Sequence, residues 1–422
     1  MIKRSFFTLK KPRLAYESVG PDPREPEIIP VPPNLIVLLH DPIDSTKEAI
    51  LKTGDMVRKG EKLRLYDDSS AYTISPVSGT IKQIDVYSDD FGNTSTYIVI
   101  HDDKKETRAE TACTESDTEI GFADQCFRDL PGAPPLEILA NEAAKINTIV
   151  VTCTDTDLLS TTQQYIAVKF HDEIQEGAQL LKKITQVPKL CIALPETLNL
   201  GEKFDSFQIL KISNEYPAAL PAMIMKDHLN TVLPEGRKPE DLGICFICAE
   251  AVVSLARAWQ KKFPEFEKIL TIIDKQGNTH RIQARIGTPL SRILKAFSIH
   301  VNERDRIVIG GPMKGFATFT AHHPVQPDMD TIIIQDRDII PQLSDYPCVN
   351  CGKCIRICPV NIPVNILVRY LEADQYEEAA DKYDLEACIE CGLCAYVCMA
   401  RIPLFQYIRL GKHELLKLRA DA

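Results

Sequence analysis

The sequence predicts a multidomain α/β protein, and three observations carry that reading. The chain has 422 residues, more than one hydrophobic core serves and enough for three or four domains. Between residues 119 and 250, short apolar runs alternate with segments of helical spacing, the pattern of a parallel sheet covered on both faces. Eight of the fourteen cysteines fall between Cys348 and Cys398 in two evenly spaced sets, which marks off a separate C-terminal domain.

Composition bounds the function. A 44% hydrophobic, 26% charged chain is ordinary for a globular protein, and a net charge of −10 argues against nucleic acid as a partner, since phosphate binding needs a basic face. Residues 1–27 form an N-terminal extension. Met1 to Lys11 is basic, but no apolar stretch follows to make a signal peptide. The longest apolar runs, such as Leu35 to Leu39 and Ile149 to Val151, have strand length, so no spanning helix is expected. The chain is expected to be soluble or to reach a membrane through a partner.

Residues 28–103 alternate short strands with Gly and Pro turns, as in TGDMVRKGEKL (Thr53 to Leu63) and SPVSGTI (Ser75 to Ile81). This resembles the barrel-sandwich hybrid of lipoyl and biotin carrier domains. A carrier would present a modifiable Lys between its two halves. Here Tyr66, Asp67, Asp68, Ser69, Ser70 and Ala71 offer none, so a packing domain is expected. Residues 104–118 are polar, lack bulky apolar groups and read as a linker.

Residues 119–262 form the α/β domain. Ile146 to Val151, Lys189 to Ala193, Phe207 to Ile212 and Gly243 to Cys248 read as strands, and Glu173 to Ile184 as a helix. Cys245 and Cys248 fall on a strand with side chains on opposite faces, which favours inert buried thiols over a redox pair. Residues 263–340 form a β-rich unit with a turn at Lys275 to Asn278. Its glycine pair Gly310–Gly311 lacks the spacing of a dinucleotide fingerprint and reads as a tight turn. His322 and His323, adjacent in a loop, diverge in direction and read as surface residues rather than ligands.

Residues 341–403 carry the cysteine sets, CVNCGKCIRICP (Cys348, Cys351, Cys354, Cys358) and CIECGLCAYVCM (Cys388, Cys391, Cys394, Cys398). Each is C-x2-C-x2-C-x3-C, the ligand run of two-cluster bacterial ferredoxins, whose fourth cysteine serves the other cluster. Two [4Fe–4S] clusters are expected. Cluster one takes Cys348, Cys351, Cys354 and Cys398; cluster two takes Cys388, Cys391, Cys394 and Cys358. Zinc is disfavoured, because its structural sites use two separated CxxC pairs. Gly352 and Gly392 allow close backbone approach. Met399 replaces the proline that Pro359 supplies in the first set. The 29 residues between Cys358 and Cys388 exceed a compact ferredoxin hairpin, and Val364 to Tyr383 has helical spacing with Ile366, Leu367, Tyr370 and Leu371 near one face. A helical two-cluster ferredoxin domain is expected. Residues 404–422 form an amphipathic tail that docks on a membrane partner or the bilayer surface, or packs on the cluster domain. Glu390 beside cluster two, and Lys353 with Arg356 beside cluster one, either bias the two potentials apart or are solvated surface charge.

The order of parts resembles RnfC, the peripheral cytoplasmic subunit of the Rnf ferredoxin:NAD⁺ oxidoreductase. The most specific pieces are RIGTP (Arg285 to Pro289), GGPMKGF (Gly310 to Phe316), both cysteine sets and IPLFQYIRLGK (Ile402 to Lys412). The resemblance implies a barrel-sandwich hybrid, a flavin-subunit-like α/β domain, a β-grasp (SLBB-like) domain and the two-cluster ferredoxin domain. In the family the α/β domain binds FMN and NADH through a GGAGFPT stretch and an NGAECEP-like stretch. This sequence departs at both, with Asp129, Leu130, Pro131, Gly132, Ala133, Pro134, Pro135, Leu136, Glu137 at the first and Thr152, Cys153, Thr154, Asp155, Thr156, Asp157, Leu158 at the second. Three prolines remove donors that a phosphate cradle needs. FMN is therefore disfavoured; the alternative is a divergent loop that still binds flavin through Asp155 and Asp157.

The resemblance implies an electron-transfer subunit of a membrane-associated, redox-driven ion-translocating complex, peripheral on the cytoplasmic side of the plasma membrane. Its partners would be the other subunits and ferredoxin or another redox protein. The rival readings are a soluble redox adaptor feeding a catalytic partner, and a scaffold stapled by its clusters. No independent catalytic site is evident in the chain.

Overall fold

The computed structural model describes residues 11–89, 91–109, 118–344 and 346–421. Residues 1–10 of the expected extension, 110–117 of the expected linker and the last residue of the tail lie outside the described residues. The chain divides into two compact units: one of residues 17–212 and 238–340, the other of the described residues up to Tyr16 with Ser213–Arg237 and Pro341 onward.

The first unit opens with β1 (Glu27–Ile28), β2 (Asn34–Leu39), β3 (Met56–Val57), β4 (Lys62–Leu63), β5 (Thr73–Ile74), β6 (Gly79–Ser88) and β7 (Thr94–Asp102). Strands β2, β7, β6 and β3 pair antiparallel in that order, and β4 pairs with β5. Strand alternation sends Leu35, Val37 and Leu39 into one core with Ile81, Ile98 and Ile100. A register shift between Ile81 and Gln83 marks a bulge in the long β6–β7 hairpin. The expected domain start at residue 28 shifts, because β1 pairs with a strand near residue 282 and Ile29 joins that other core. The expected linker is also pinned over residues 104–109. Glu106 accepts from Lys59 and, at 2.6 Å, from Arg285, so charge rather than apolar burial holds it.

Next come α1 (Glu119–Phe127), α2 (Leu136–Ala140), β8 (Thr148–Thr152), α3 (Thr162–Lys169), α4 (His171–Thr185), β9 (Lys189–Pro195), β10 (Gln208–Ile212), α5 (Pro221–His228), β11 (Ile244–Cys248) and α6 (Ala249–Lys261). Helix α5 belongs to the second unit. The sheet β10-β9-β8-β11 is parallel throughout. One of its two central strands, TIVVT (β8), is buried on both faces, as β-branched runs of covered parallel sheets are. Helices α4 and α6 approach so closely that a Cβ on Gly177 would meet the Val252 carbonyl oxygen at 2.6 Å. Burial pushes the Cys245 and Cys248 thiols up to about 12, as inert cysteines require.

The unit closes with β12 (Glu267–Ile273), β13 (Thr279–Arg285), α7 (Leu290–Ala296), β14 (Arg306–Ile309), β15 (Phe316–Thr318) and β16 (Thr331–Gln335). With β1 they make a mixed sheet in the order β1-β13-β12-β16-β14-β15, and α7 buries Leu290, Ile293 and Leu294 in its core. Lys268 on β12 is fully buried, its ammonium against Glu250 and 3.4 Å from Asp330. His323 corrects its expectation. It is 3% exposed, with Nδ1 2.8 Å from the Tyr87 hydroxyl, because its loop folds back onto β6.

The second unit holds α8 (Lys353–Ile357), α9 (Val364–Leu371), α10 (Tyr376–Tyr383), α11 (Leu393–Tyr396) and α12 (Leu404–Asp421). The helical stretch from Val364 to Tyr383 breaks in two near Asp374, whose φ is +55°. The buried face of α9 is Val364, Leu367, Val368 and Leu371, at i, i+3, i+4 and i+7, while Ile366 is exposed. The tail packs on the cluster domain. Leu404, Ile408 and Leu415 share its core, so no domain boundary falls at residue 403.

Candidate metal centre

The two cysteine runs are copies offset by 40 residues (388 − 348 = 40), and the backbone repeats with them. Asn350 and Glu390, Gly352 and Gly392, and Asn361 and Arg401 all take left-handed conformations with φ between +52° and +70°. Each glycine caps a short helix, α8 or α11. Each run then passes an Ile-Pro pair, and the amide two residues beyond Ile362 or Ile402 donates back to that isoleucine's carbonyl at 2.8 Å. Helices α9 and α12 follow as equivalents. They meet at equivalent positions, where a Cβ on Gly411 would lie 2.5 Å from Leu371 Cδ2.

This arrangement brings cysteines of the two runs together. Cys348, Cys351, Cys354 and Cys398 line one cavity with Lys353, Arg369 and Met399. In the second group, Cys358 lies near enough to Cys388, Cys391 and Cys394 to push their thiols up, after the larger effect of burial. Burial holds Cys354 and Cys388 up to about 11 and Cys391 up to about 12. Thiols so placed become thiolates when a cation replaces the proton. The donors are soft sulfurs, the backbone beside them is turned by glycine, and the Glu390 amide donates to Cys388 Sγ at 3.4 Å. Such a set fits a cubane of iron and sulfide.

Beyond the thiols, the second group is tied down more firmly. The buried Tyr216 hydroxyl donates to the Cys391 carbonyl at 2.7 Å. Lys412 on α12 donates to the Cys388 carbonyl at 2.6 Å and to Glu390 at 2.8 Å. At the first group, exposed Arg356 donates to the Cys351 carbonyl at 3.1 Å and Lys353 reaches the Met399 sulfur. Lone sequence motifs gave no sign of Tyr216, which arrives from 172 residues before the second run's Cys388 (388 − 216 = 172). The repeated Ile-Pro pairs could have revealed the role of α12.

Most polar groups of the two stretches in the α/β domain are occupied internally, the buried Thr154 hydroxyl excepted. Gly132 N donates to the Pro327 carbonyl at 2.8 Å, Ala133 N to Leu130 and Leu136 N to Pro134. A Cβ on Gly132 would meet Ala251 N at 2.3 Å, so this glycine serves packing. The buried Asp155 carboxylate takes the Ser160 hydroxyl at 2.9 Å and the Gln163 amide at 3.0 Å, and burial pushes its pKa up to about 6. Asp157 accepts from the amides of Leu158, Met313 and Lys314, and so fills the concave backbone after Gly310–Gly311 with its own carboxylate. The glycine pair is thus a turn, with Gly310 at φ +90°.

Fold and site together define a multidomain protein with a helical, cysteine-ligand domain of the iron–sulfur class. Residues 347–402 match the family described as 4Fe-4S dicluster domain, and residues 23–105 match the RnfC barrel sandwich hybrid domain. The chain is RnfC-like. It is 26% identical over 419 residues to the C subunit of the ion-translocating oxidoreductase complex of Pectobacterium carotovorum, covering 93% of this chain and 55% of that protein. It is 28% identical over 425 residues to the equally named protein from Edwardsiella ictaluri, covering 93% of this chain and 52% of that protein. A further relative is the C subunit of the proton-translocating ferredoxin:NAD(+) oxidoreductase complex of Clostridium ljungdahlii, at 25% identity over 92% of this chain and 89% of that one. The chain thus spans about half the length of the first two relatives. Among solved structures, an NAD+-reducing [NiFe]-hydrogenase aligns with a TM-score of 0.41 at 12% identity, over 67% of this chain and 57% of that one. Among the described residues, no helix is long and apolar enough to cross a membrane.

Proposed function

We propose that this chain is the electron-transfer iron–sulfur subunit of an Rnf-like, redox-driven ion-translocating complex, peripheral on the cytoplasmic side of the membrane. It would hold two [4Fe–4S] clusters. Cluster one would take Cys348, Cys351, Cys354 and Cys398, and cluster two Cys388, Cys391, Cys394 and Cys358. The observation that carries the reading is the meeting of Cys398 with the first run's thiols in one cavity, the exchange of fourth ligands that two-cluster ferredoxins use. Bound clusters would supply reversible one-electron chemistry. The chain's own residues fix the ligand loops. Tyr216 and Lys412 hold carbonyls of the second run, and Gly352 and Gly392 turn the backbone toward the sulfurs.

The chain would work without its own FMN or NADH site. Pro131, Pro134 and Pro135 offer no amide, and the amides of Gly132, Ala133 and Leu136 are already bonded. Asp155 and Asp157, the acids left in the second stretch, accept internal hydrogen bonds. The unit of residues 263–340 we read as the β-grasp (SLBB-like) domain, a packing partner of the α/β domain.

Anaerobic purification, a visible spectrum and flavin extraction test this. The expected result is about eight irons per chain with reversible bleaching on reduction and no FMN. One FMN per chain would overturn the loss of the flavin site. Protein containing only zinc would overturn the electron-transfer reading.

A further inference from the structure

The two cysteine groups belong to one repeat, so their surroundings can be compared residue for residue. The offset of 40 (388 − 348 = 40) sets Asn350 against Glu390, Lys353 against Leu393 and Arg356 against Tyr396. Lys353 and Arg369 line the cavity of the first group. Arg369 Nη2 donates to Asn350 Oδ1 at 2.8 Å, and that oxygen lies 4.0 Å from Cys348 Sγ. Arg356 donates to the Cys351 carbonyl at 3.1 Å. Among the described residues no carboxylate lies within ion-pair reach of these three cations, and Glu372 is the acid that shares their cavity. In the second group the Asn350 position is acidic, and Glu390 takes the Lys412 ammonium at 2.8 Å. Both charges are felt at Cys388. Burial pushes its thiol up, Lys412 draws it down and the Glu390 carboxylate pushes it up. Arg409, the equivalent of Arg369, lies over the Phe405 ring at 5.9 Å. Exposure differs too: Cys351 is exposed where its equivalent Cys391 is buried, while the other three equivalent pairs are matched.

We infer that Lys353, Arg356 and Arg369 give cluster one the higher reduction potential, so that a lone electron on the chain rests there. Glu390, by cancelling Lys412, holds cluster two lower. The inference rests on the iron–sulfur reading above. Taking up one electron adds one negative charge to a cubane, with no proton and no bond change. Nearby positive charge and contact with water therefore favour the reduced form, and both are greater at the first group. The Glu390 amide, which donates to Cys388 Sγ at 3.4 Å, works in the opposite sense. A neutral donor is worth less than a charged one, so the cations decide the order.

The test uses the full chain, purified anaerobically and titrated with dithionite in the presence of redox mediators, with electron paramagnetic resonance as readout. Two one-electron waves are expected. Lys353→Met with Arg369→Gln is expected to lower the upper wave alone. The reduced-to-oxidised ratio at fixed potential should fall about threefold to tenfold, or about 30–60 mV at about 59 mV per tenfold. Glu390→Gln leaves Lys412 uncancelled and is expected to raise the lower wave alone by a similar amount. Lys353→Arg with Arg369→Lys keeps both charges and is expected to leave the upper wave in place. Movement of the lower wave by the Lys353/Arg369 variant, or of the upper wave by Glu390→Gln, would overturn the inference. So would a single two-electron wave, waves that neither variant moves, or a charge-keeping variant that shifts as far as the charge-removing one. An iron content equal to that of the wild type shows that the ligand loops are intact. Should one variant lose iron, the other still decides the order, because each addresses a different wave. Iron-free wild type would instead fail the iron–sulfur reading, and the iron assay separates that failure from a reversed order of potentials.

Discussion

The two halves of the cluster domain share one backbone plan and differ in their setting. Both use a left-handed glycine, a short helix, an Ile-Pro turn and a long helix, 40 residues apart (388 − 348). In the second half, Cys391 is buried at 7% exposure, and the buried Tyr216 and half-buried Lys412 fasten the loop, while Cys354 and Cys394 are buried alike in the two halves. In the first half, Cys351 is exposed and its loop is held by exposed Arg356. The backbone plan therefore decides where sulfurs go, while the surroundings decide how firmly they are held and what can reach them.

The largest effect should come from removing one sulfur from each half. Cys351→Ala and Cys391→Ala are each expected to lower iron from about eight to about four per chain. Cys391→Ala should lower the melting temperature more, because its loop is buried among side chains that lose their partner. Equal losses of melting temperature would break the comparison.

A second prediction locates acid sensitivity outside the cluster domain. Burial holds His323 down to about 4 from an ordinary 6.5. The unfolded chain binds a proton that the folded chain refuses, so this contribution is complete above 6.5 and is lost as pH falls toward 4. The stability advantage of the wild type over His323→Phe should shrink by on the order of 3 kcal/mol across that window, read by chemical denaturation at fixed pH. Asp155, pushed up to about 6, has the opposite slope, since its folded form keeps a proton that the unfolded chain releases. The wild type alone should therefore show a shallower pH profile than the difference between the two proteins. Iron content should not follow His323.

Tyr216→Phe strips the Cys391 carbonyl of its donor and leaves a buried acceptor unpaired, at about 1–2 kcal/mol in denaturant titration. Lys412→Met should cost less, about 0.5–1 kcal/mol, because the ammonium is partly exposed, and Arg356→Met in the first half should cost least. A cost for Arg356→Met equal to that of Tyr216→Phe would mean that the first loop is held as firmly as the second.

Much of this architecture could be read from residue order. Glycine at 352 and 392, the cysteine spacing and the β-branched run at Thr148–Thr152 act locally, so their consequences follow from sequence. Other features depend on chain segments far apart. Tyr216 reaches Cys391 across 175 positions, and His323 is buried only because its loop returns to Tyr87. The helix starting at Leu404 reads as an amphipathic tail open to a membrane partner, the bilayer surface or the cluster domain, because hydrophobic spacing does not name the surface it covers. Its equivalence to α9, written in the paired Ile-Pro turns, does name that surface. Asp155 and Asp157 resembled ligand-facing acids, yet backbone amides from Gln163, Met313 and Lys314 consume them.

The exchange of fourth ligands is tested most directly by iron analysis of two double variants, prepared without oxygen. If Cys351 and Cys398 serve one cluster, Cys351→Ala/Cys398→Ala keeps about four irons per chain, whereas Cys351→Ala/Cys391→Ala loses nearly all of them. Near-complete loss of iron from the Cys351/Cys398 pair would mean that each run ligates its own cluster, and would contradict the account.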